Sequence, residues 1–308
     1  MKICLIGAGN IAEAHLKALR AAGAEVTAVC TRGDSGRQFA ARHDLHYYPA
    51  LTTMLTGESP QGVYLLTQPA AYAELLAVLK RYDLPVMIEK PVGYSSAHAR
   101  QLRDGLPALT MVGHNRRFYA NLEFARAMIG ASPVSAHFFI CERARDIQHR
   151  DQADHNRWHV MNAIHGIDTI RYLFGDVVAI PFLHRSAALS FSSLPRLVHA
   201  DLVTERGHRV RFASNFDSPG GWRCFVFTEQ REIVIEPIEK TVVRRIGAHD
   251  VFETPADDRD FKPGFLAQAR TFLAGVAHPD ALPAAWVGFD DAMQSISLCE
   301  TLYEGQSY

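Results

Sequence analysis

The chain begins with a short apolar segment that runs directly into a turn with two glycines, Met1-Lys2-Ile3-Cys4-Leu5-Ile6-Gly7-Ala8-Gly9-Asn10-Ile11-Ala12. This order is typical of a buried strand, a tight turn and a helix. Gly7 permits the turn, Gly9 lets the backbone approach a pyrophosphate, and Ala12 is small enough for the helix to pack on the strand. The first amides of the helix, at the positive end of its dipole, favour phosphate. The turn therefore predicts a dinucleotide-binding βαβ unit.

Composition and charge narrow the class of protein. The 308 residues, 48% of them hydrophobic and 21% charged, suffice for one large globular domain or two ordinary ones. A formal net charge of -1 argues against a non-specific nucleic-acid binder. We predict no membrane span and no secretion signal, because the apolar runs are short and the first one enters a glycine turn. The five scattered cysteines are expected to be reduced packing residues of a cytoplasmic protein.

The first 115 residues or so alternate between strand-like and helix-like segments. Strands are predicted at 2–6, 25–30, 62–67, 85–89 and 109–113, and helices near 10–22, 35–43, 70–82 and 95–104. Continuous apolar runs such as Val63-Tyr64-Leu65-Leu66 are typical of parallel strands that helices cover on both faces. The fold class of this part is therefore α/β, as a Rossmann domain over residues 1–118.

The pattern changes at about residue 134. Strands are predicted at 134–142, 196–204, 208–216, 222–228, 231–236 and 240–245, and helices near 162–174, 264–275 and 286–303. Short turns between the strands favour an antiparallel meander. We predict a second, α+β domain over residues 119–308 with an open, mainly antiparallel sheet, and with the last helix free to pack back on the first domain.

The end of the second strand indicates which cofactor binds. An acidic residue about 20 positions after the glycines would bind the ribose of NAD, but the strand ends in Thr31-Arg32. A hydroxyl beside a guanidinium suits a 2′-phosphate, so we expect NADP(H) in preference to NAD(H). The alternative is that Arg32 is a solvated loop residue and Asp34 reaches the ribose.

Two ionisable groups are candidates for catalysis. Lys90 follows an apolar strand in Glu89-Lys90-Pro91, at the carboxyl edge where open α/β sheets bind ligands, and the proline is compatible with a cis peptide bond. His165 and Asp168 lie three residues apart and share one face of a predicted helix. Histidine can exchange a proton near neutral pH. Each residue taken alone also has a simpler interpretation. Lys90 would then be a surface charge, and His165 a hydrogen-bonded histidine at the start of a helix.

Four motifs in this order resemble those of the Gfo/Idh/MocA oxidoreductases over nearly the whole chain. They are the glycine turn, Glu89-Lys90-Pro91, Gly113-His114-Asn115-Arg116-Arg117-Phe118 and Asn162-x-x-His165-x-x-Asp168. The resemblance implies a Rossmann domain, an open-sheet domain and an active site between them. It also implies that Lys90 bonds the substrate hydroxyl and the nicotinamide ribose, and that His165 is the acid/base.

The resemblance and the residues together give one set of expected contacts. We expect cofactor contacts from Gly7, Gly9, Asn10, Ile11, Ala12, Thr31, Arg32, Thr67, Gln68, Pro69, Glu89, Lys90 and Asn115. We expect substrate contacts from Arg116, Arg157, Trp158, Asn162 and Asp168. The predicted reaction moves a hydride between nicotinamide and a secondary alcohol or ketone of a sugar, a sugar derivative such as a sugar nucleotide, or a polyol.

The chain also departs from the family pattern. Many members carry Asp four residues before the histidine, where this chain has Met161, and Asn162 is expected to supply the polar contact instead. Tyr72 replaces a common histidine, and Thr67-Gln68-Pro69 replaces Thr-Pro. The loss of the acid at Met161 favours an alternative function, a catalytically silent NADP-binding sensor or regulatory protein. Retention of Lys90 and His165 favours the enzyme.

Other features have a simpler interpretation beside a functional one. Four histidines could suggest zinc, but no acidic or thiol partner has convincing spacing, so no metal is predicted; they are His149, His155, His159 and His165. Four arginines indicate either a solvated loop or a lid for an acidic substrate; they are Arg143, Arg145, Arg150 and Arg157. The resemblance implies a homodimer or homotetramer assembled through the outer face of the second sheet. No nucleic-acid or membrane partner is expected.

Overall fold

The computed structural model describes residues 1–149 and 152–305. These residues form two compact units, the first made of Met1–Phe118 and Ala256–Met293 and the second of Tyr119–Pro255 and the residues from Gln294 onward. The segment 256–293 was predicted to belong to the second domain, but it is grouped with the first unit.

The first unit is built on a six-stranded parallel sheet with strand order β3-β2-β1-β4-β5-β6. The strands are β1 (Lys2–Ile6), β2 (Glu25–Cys30), β3 (His46–Tyr48), β4 (Gly62–Leu65), β5 (Val86–Ile88) and β6 (Thr110–Val112). The strands β4, β5 and β6 are buried along their whole length, as expected for parallel strands with helices on both faces. The predicted Rossmann architecture is confirmed.

Seven helices belong to this unit, and an eighth begins in it. They are α1 (Ala12–Ala21), α2 (Asp34–Arg42), α3 (Leu51–Glu58), α4 (Tyr72–Arg81), α5 (Ser96–Leu102), α10 (Ala256–Arg259), α11 (Phe265–Ala277) and the first turn of α12 (Phe289–Glu304). Three-residue to four-residue 3₁₀ turns at 69–71, 103–105 and 115–118 connect some of these elements. Helix α11 packs against α1, which places a late segment of the chain beside the glycine turn.

The second unit contains an eight-stranded sheet with strand order β14-β13-β12-β11-β7-β10-β9-β8. The strands are β7 (Ser135–Cys141), β8 (Val177–Arg185), β9 (Leu197–Thr204), β10 (Arg209–Asn215), β11 (Trp222–Phe227), β12 (Glu232–Ile235), β13 (Thr241–Arg245) and β14 (Ala248–Val251). All neighbouring pairs are antiparallel except β7 and β10, which are parallel. A mainly antiparallel sheet is confirmed, but the simple meander is wrong, because β7 lies between β11 and β10.

Helices and one π-helical turn complete the second unit. They are α6 (Ala120–Ile129), α7 (Ala144–Gln148), α8 (Gln152–Asn156), the π turn His159–Ala163, α9 (Ile164–Phe174) and the remainder of α12. The alternation in β10 is as predicted: Val210 and Phe212 are buried, whereas Arg209 and Arg211 are exposed on the other face. One face of this sheet therefore packs inside the unit.

The five cysteines are free thiols, and four of them are buried. Burial raises the pKa of the Cys4 and Cys30 thiols to about 11, which keeps both protonated and unreactive at neutral pH. This agrees with their predicted role as packing residues. Within the described residues, no helix is both long enough and apolar enough to cross a membrane.

Candidate functional site

The glycine turn of the first unit has the backbone that dinucleotide binding requires. Gly7 has a φ of +105° and its N–H bonds Cys30 O at 2.8 Å, and a Cβ there would lie 2.9 Å from Leu66 O. At Gly9, by contrast, a Cβ would meet no heavy atom of the described chain within 4 Å. Glycine is thus needed at Gly7 for conformation, and Gly9 borders open space.

The start of α1 continues this arrangement. Ala12 is fully buried and its N–H bonds Gly9 O at 2.9 Å, as expected for a small residue that packs the helix on the sheet. No side chain of the described residues caps α1 at Ile11, and the neighbouring Asn10 is exposed. The first turn of α1 can therefore offer backbone amides to phosphate oxygens.

The end of β2 carries the residues expected to select the cofactor. Arg32 is exposed (its side chain is 87% accessible), and its guanidinium is 4.0 Å from Glu74, a weak surface pair. Thr31 is half-buried and packs on Gly36, where α2 comes close to the strand. Asp34 is exposed as the first residue of α2. Arg32 and Asp34, the two alternative candidates for contact at the adenosine ribose, are thus both accessible.

The segment after β4 contributes a buried hydroxyl. Within the described residues, Thr67 Oγ1 is shielded from solvent and has no hydrogen-bond partner. Gln68 is exposed, and Pro69 begins a 3₁₀ turn that leads into α4. The hydroxyl of Tyr72 lies 2.9 Å from Glu89 O and 3.2 Å from Thr67 O, so it holds the ends of two neighbouring strands together. An unsatisfied buried hydroxyl beside the glycine turn fits a site for a polar ligand.

Glu89 and Lys90 lie directly after β5, and the Lys90–Pro91 peptide bond is cis, as the sequence suggested. The Glu89 carboxylate is 2.7 Å from His15 Nε2 on α1 and accepts the Lys90 N–H at 3.0 Å. Lys90 itself is half-buried. The residue that positions the backbone of Lys90 is therefore bonded to the helix that follows the glycine turn.

Electrostatics keep Glu89 ionised. Burial alone would raise the pKa of its carboxyl group, but the hydrogen bond from His15 and the charges of His15, Lys90 and Lys262 hold that pKa below its ordinary value. Lys262 belongs to the same unit; burial lowers its pKa, and the charge of Arg116 lowers it further, against the opposing effect of Glu89. Basic side chains thus surround this carboxylate.

The segment 115–118 is fixed by contacts with the late part of the first unit. The Asn115 amide donates to Pro263 O at 3.1 Å, and Arg117 forms a two-bond ion pair with Asp291. Asn115 is almost fully buried, whereas Arg116 is half-buried. Asn115 therefore has a structural partner, and its predicted cofactor contact stays a prediction.

These features of the first unit fit a nicotinamide dinucleotide. The turn at Gly7 and Gly9 leaves space for a pyrophosphate, and Thr67 Oγ1 is an unsatisfied hydroxyl beside it. Residues of the turn, the β2 end and the Thr67–Pro69 segment would hold the dinucleotide.

The predicted histidine motif of the second unit lies on a π-helical turn followed by α9. The Ile164 N–H bonds His159 O, five residues earlier, which widens the helix before His165. Turns of this kind are frequent at functional sites. His165 is half-buried, and its carbonyl accepts a bond from Thr169 Oγ1 at 2.6 Å.

Asn162 and Trp158 share one carboxylate. The Asn162 side-chain amide donates to Glu142 Oε1 at 2.8 Å, and Trp158 Nε1 donates to Glu142 Oε2. Glu142 follows directly after β7. Two residues predicted to bind substrate are thus brought together by an acidic residue that no sequence motif indicated.

Asp168 has a different environment. It is 1% exposed, accepts a bond from Ser295 Oγ at 2.9 Å and lies 3.9 Å from Arg171, which also donates to Ser295 Oγ and pairs with Asp176. This buried network favours a structural role, because a buried carboxylate needs such partners. Substrate binding by Asp168 stays a prediction.

The remaining candidates lie around the small helices α7 and α8. Arg143 pairs with Asp146 at 2.6 Å, Arg157 is exposed, and Arg150 lies outside the described residues. The buried His159 has its Nε2 2.7 Å from a Glu304 oxygen. In residues 1–149 and 152–305, no group of three or more His, Cys, Asp or Glu side chains is arranged to hold a metal ion.

Comparison with known proteins agrees with this architecture. Residues 1–108 match the family model GFO_IDH_MocA, the oxidoreductase family with an NAD-binding Rossmann fold. The rhizopine catabolism protein MocA of Rhizobium meliloti is 25% identical over 134 residues, which are 42% of this chain and 42% of that protein. The predicted resemblance to the Gfo/Idh/MocA oxidoreductases is confirmed over residues 1–108, which match the NAD-binding Rossmann domain of that family.

Solved structures show the same fold over almost the whole chain. A Desulfitobacterium hafniense protein assigned as an NADPH-dependent oxidoreductase has a TM-score of 0.82 at 15% identity, covering 97% of this chain and 93% of that one. Levoglucosan dehydrogenase in complex with NADH has a TM-score of 0.80 at 14% identity, covering 98% and 95%. At these identities the likeness establishes the fold.

Proposed function

We propose that the chain is an NADP(H)-dependent dehydrogenase or reductase acting on CH–OH groups. Its substrate would be a secondary alcohol or ketone of a sugar, a sugar derivative such as a sugar nucleotide, or a polyol. The observation that carries the proposal is the 2.7 Å contact between His15 and Glu89. It links the helix of the nucleotide-binding turn to the residue that precedes Lys90, so the lysine is fixed relative to the turn.

NADP(H) is proposed in preference to NAD(H). The end of β2 offers Arg32, an exposed permanent cation, where an NAD-specific site would place a carboxylate. A guanidinium supplies paired donors to a phosphate. Asp34, also exposed, is the residue that would instead favour NAD(H).

The proposed chemistry divides two tasks between two side chains. NADP(H), when bound, supplies hydride transfer at its nicotinamide ring. His165 accepts the proton of the substrate hydroxyl during oxidation and returns it during reduction. Lys90 donates a charge-assisted hydrogen bond to the same substrate oxygen, where negative charge develops. Half-burial of both residues is consistent with groups that must meet a ligand yet lose much of their water.

The first test is titration of the purified protein with NADPH and NADH separately, followed by nicotinamide fluorescence. We expect tighter binding of NADPH, and loss of that preference in Arg32→Ala. Equal or tighter binding of NADH would overturn the NADP(H) proposal and direct attention to Asp34. Binding of NADPH without turnover of any sugar, sugar nucleotide or polyol would favour the sensor or regulatory protein.

We also propose that a second copy of the chain covers the outer face of the eight-stranded sheet. Phe182 and Phe227 are 52% and 40% exposed there, and Phe139 packs against Phe225 on the same face. Exposed aromatic groups of this kind are typical of interaction surfaces. Light scattering of the wild type should give the mass of a dimer or tetramer, and Phe182→Glu should lower it; a monomeric wild type would overturn the proposal.

A further inference from the structure

The unassigned feature with the most defined geometry is the carboxylate of Glu142 in the second unit. One of its oxygens accepts Asn162 Nδ2 at 2.8 Å, and the other accepts Trp158 Nε1. Asn162 lies in the π turn, three residues before His165, and Trp158 lies directly before the turn. A single carboxylate therefore connects β7 to both ends of this turn.

The backbone of Glu142 is held as firmly as its side chain. Its N–H bonds Asn215 O at 2.9 Å, and its carbonyl accepts the Ser218 N–H at 3.0 Å. These bonds anchor the residue between the end of β7 and the loop after β10. The carboxylate is consequently presented to the π turn from a fixed point of the sheet.

The chemistry of a carboxylate determines how the Asn162 amide is oriented. An ionised carboxylate can only accept hydrogen bonds, so the NH₂ group of Asn162 must face Glu142. The carbonyl oxygen, Oδ1, is then directed elsewhere. No hydrogen bond to Asn162 Oδ1 forms within the described part of the chain, and the side chain is half-buried. Because Glu142 engages the NH₂ group, Asn162 presents Oδ1 as a hydrogen-bond acceptor on the side of the amide that faces away from Glu142.

We propose that Glu142 is a positioning residue that fixes the Asn162 amide so that Oδ1 accepts a hydrogen bond from a substrate hydroxyl. The proposal rests on the oxidoreductase function above, and it names a polyhydroxylated substrate as the ligand of that oxygen. An uncharged acceptor discriminates against a substrate that presents only an acceptor at this position. Met161, next to Asn162, offers only a weakly accepting sulfur, so the amide supplies the polar contact.

The proposal is tested by changing the carboxylate at position 142 and the amide at position 162, first singly and then together. In Glu142→Gln the single acceptor oxygen of the new amide goes to Trp158, and its NH₂ group turns Asn162 around. We expect KM for the substrate to rise about tenfold with kcat within about twofold, because a ground-state acceptor is lost. Asn162→Asp places two carboxylates side by side and should lower kcat/KM about 100-fold.

The double variant Glu142→Gln/Asn162→Asp restores the pairing in reverse. The amide at position 142 donates to the carboxylate at 162, whose second oxygen again accepts from the substrate. We expect kcat/KM to return to within about threefold of the wild type. The matched control is Glu236→Gln, which removes a carboxylate paired with Arg223 on the same sheet and should leave all constants unchanged.

Two readouts keep this test separate from the proposed function. The NMR signal of the Trp158 indole N–H, assigned with Trp158→Phe, should move upfield in Glu142→Gln without any substrate. The wild type is first assayed with NADP⁺ and a panel of D-glucose, myo-inositol and UDP-glucose. The kinetic constants of all variants are then measured with the first of these that the wild type turns over. If KM is unchanged in Glu142→Gln, or the double variant is no better than Asn162→Asp, the positioning role is wrong. If the wild type turns over no member of the panel, the oxidoreductase proposal and the substrate role of Asn162 fall together, while the indole signal still decides whether Glu142 holds the turn.

Discussion

The imidazole of His15 and the carboxylate of Glu89 form a buried pair, with Nε2 and Oε1 2.7 Å apart. His15 also packs against the rings of Phe265 and Tyr64, with centroids 4.4 Å and 5.3 Å away. The pair joins α1, α11 and the end of β5 within the first unit. A polar contact at this place fixes the distance between the nucleotide-binding turn and Lys90.

Breaking this pair should destabilise the protein. His15→Phe keeps a ring against Phe265 but leaves the Glu89 carboxylate buried without its main partner. We expect the free energy of unfolding to fall by about 3 kcal/mol, because separating a buried pair costs that much. Urea denaturation at neutral pH measures it. A loss no larger than that of an exposed variant such as His278→Phe would contradict the role of the pair.

The Glu89 carboxylate should also make the free energy of unfolding depend on pH. The pKa of Glu89 is lowered in the folded state, so ionised Glu89 contributes stability above the pKa it has when unfolded. That contribution is lost as the pH falls through the lower, folded value. Glu89→Gln should therefore flatten the loss of unfolding free energy between about pH 6 and about pH 3, measured by urea denaturation. Glu236→Gln should keep the wild-type slope; an unchanged slope in Glu89→Gln would count against the assignment.

The two glycines of the turn should differ in what they control. Gly7→Ala meets a φ of +105° and a carbonyl 2.9 Å from the new Cβ, so we expect a loss of about 1–3 kcal/mol in unfolding free energy. Gly9→Ala meets open space, so the fold should be kept while NADPH binding weakens at least tenfold, since the methyl group occupies the approach of the pyrophosphate. Denaturation and fluorescence titration separate the two effects. Gly288→Ala, also in open space but far along the sequence, is the control.

Local sequence signals predicted most of the first unit. Strands β1 and β2 have the predicted bounds because each is predominantly apolar and is followed by a glycine turn or a polar loop. The edge strand β3 and the helix α3 were missed. Strand β3 has only three residues, His46-Tyr47-Tyr48, none fully buried, and α3 has no strong apolar periodicity. Short edge elements take their structure from the neighbouring strand rather than from their own pattern.

The candidate site was predictable in its motifs and not in its supporting contacts. Lys90, Asn162 and His165 carry chemistry that a motif can indicate. Glu142 lies 20 residues from Asn162, and His15 lies 74 from Glu89, so only the tertiary fold brings these partners together. One signal was present: a histidine among the apolar positions of α1 is buried, and a buried polar group needs a partner.

The environment of Asp168 predicts a loss of stability rather than of substrate affinity. Asp168→Ala would leave the buried guanidinium of Arg171 without one of its carboxylates and Ser295 without its acceptor. We expect about 3–5 kcal/mol less unfolding free energy. The control is Asp290→Ala, which removes an exposed pair with Arg103 and should cost under about 1 kcal/mol. A stable Asp168→Ala protein with a raised KM would instead support substrate binding by this residue.

Lys90 and His165 should both be needed for turnover, whereas His165 should not be needed for cofactor binding. Removing a group that exchanges the substrate proton costs about 10²-fold to 10⁴-fold in rate, so His165→Ala should lower kcat by that amount. Lys90→Ala removes the donor to the developing oxyanion and should lower kcat about 10²-fold to 10³-fold. Nicotinamide fluorescence should show NADPH binding within about threefold of the wild type for His165→Ala, which rules out misfolding. Lys80→Ala and His278→Ala change exposed residues of the same types and should be fully active. Full turnover in both Lys90→Ala and His165→Ala would show that proton transfer and oxyanion stabilisation are assigned to the wrong residues.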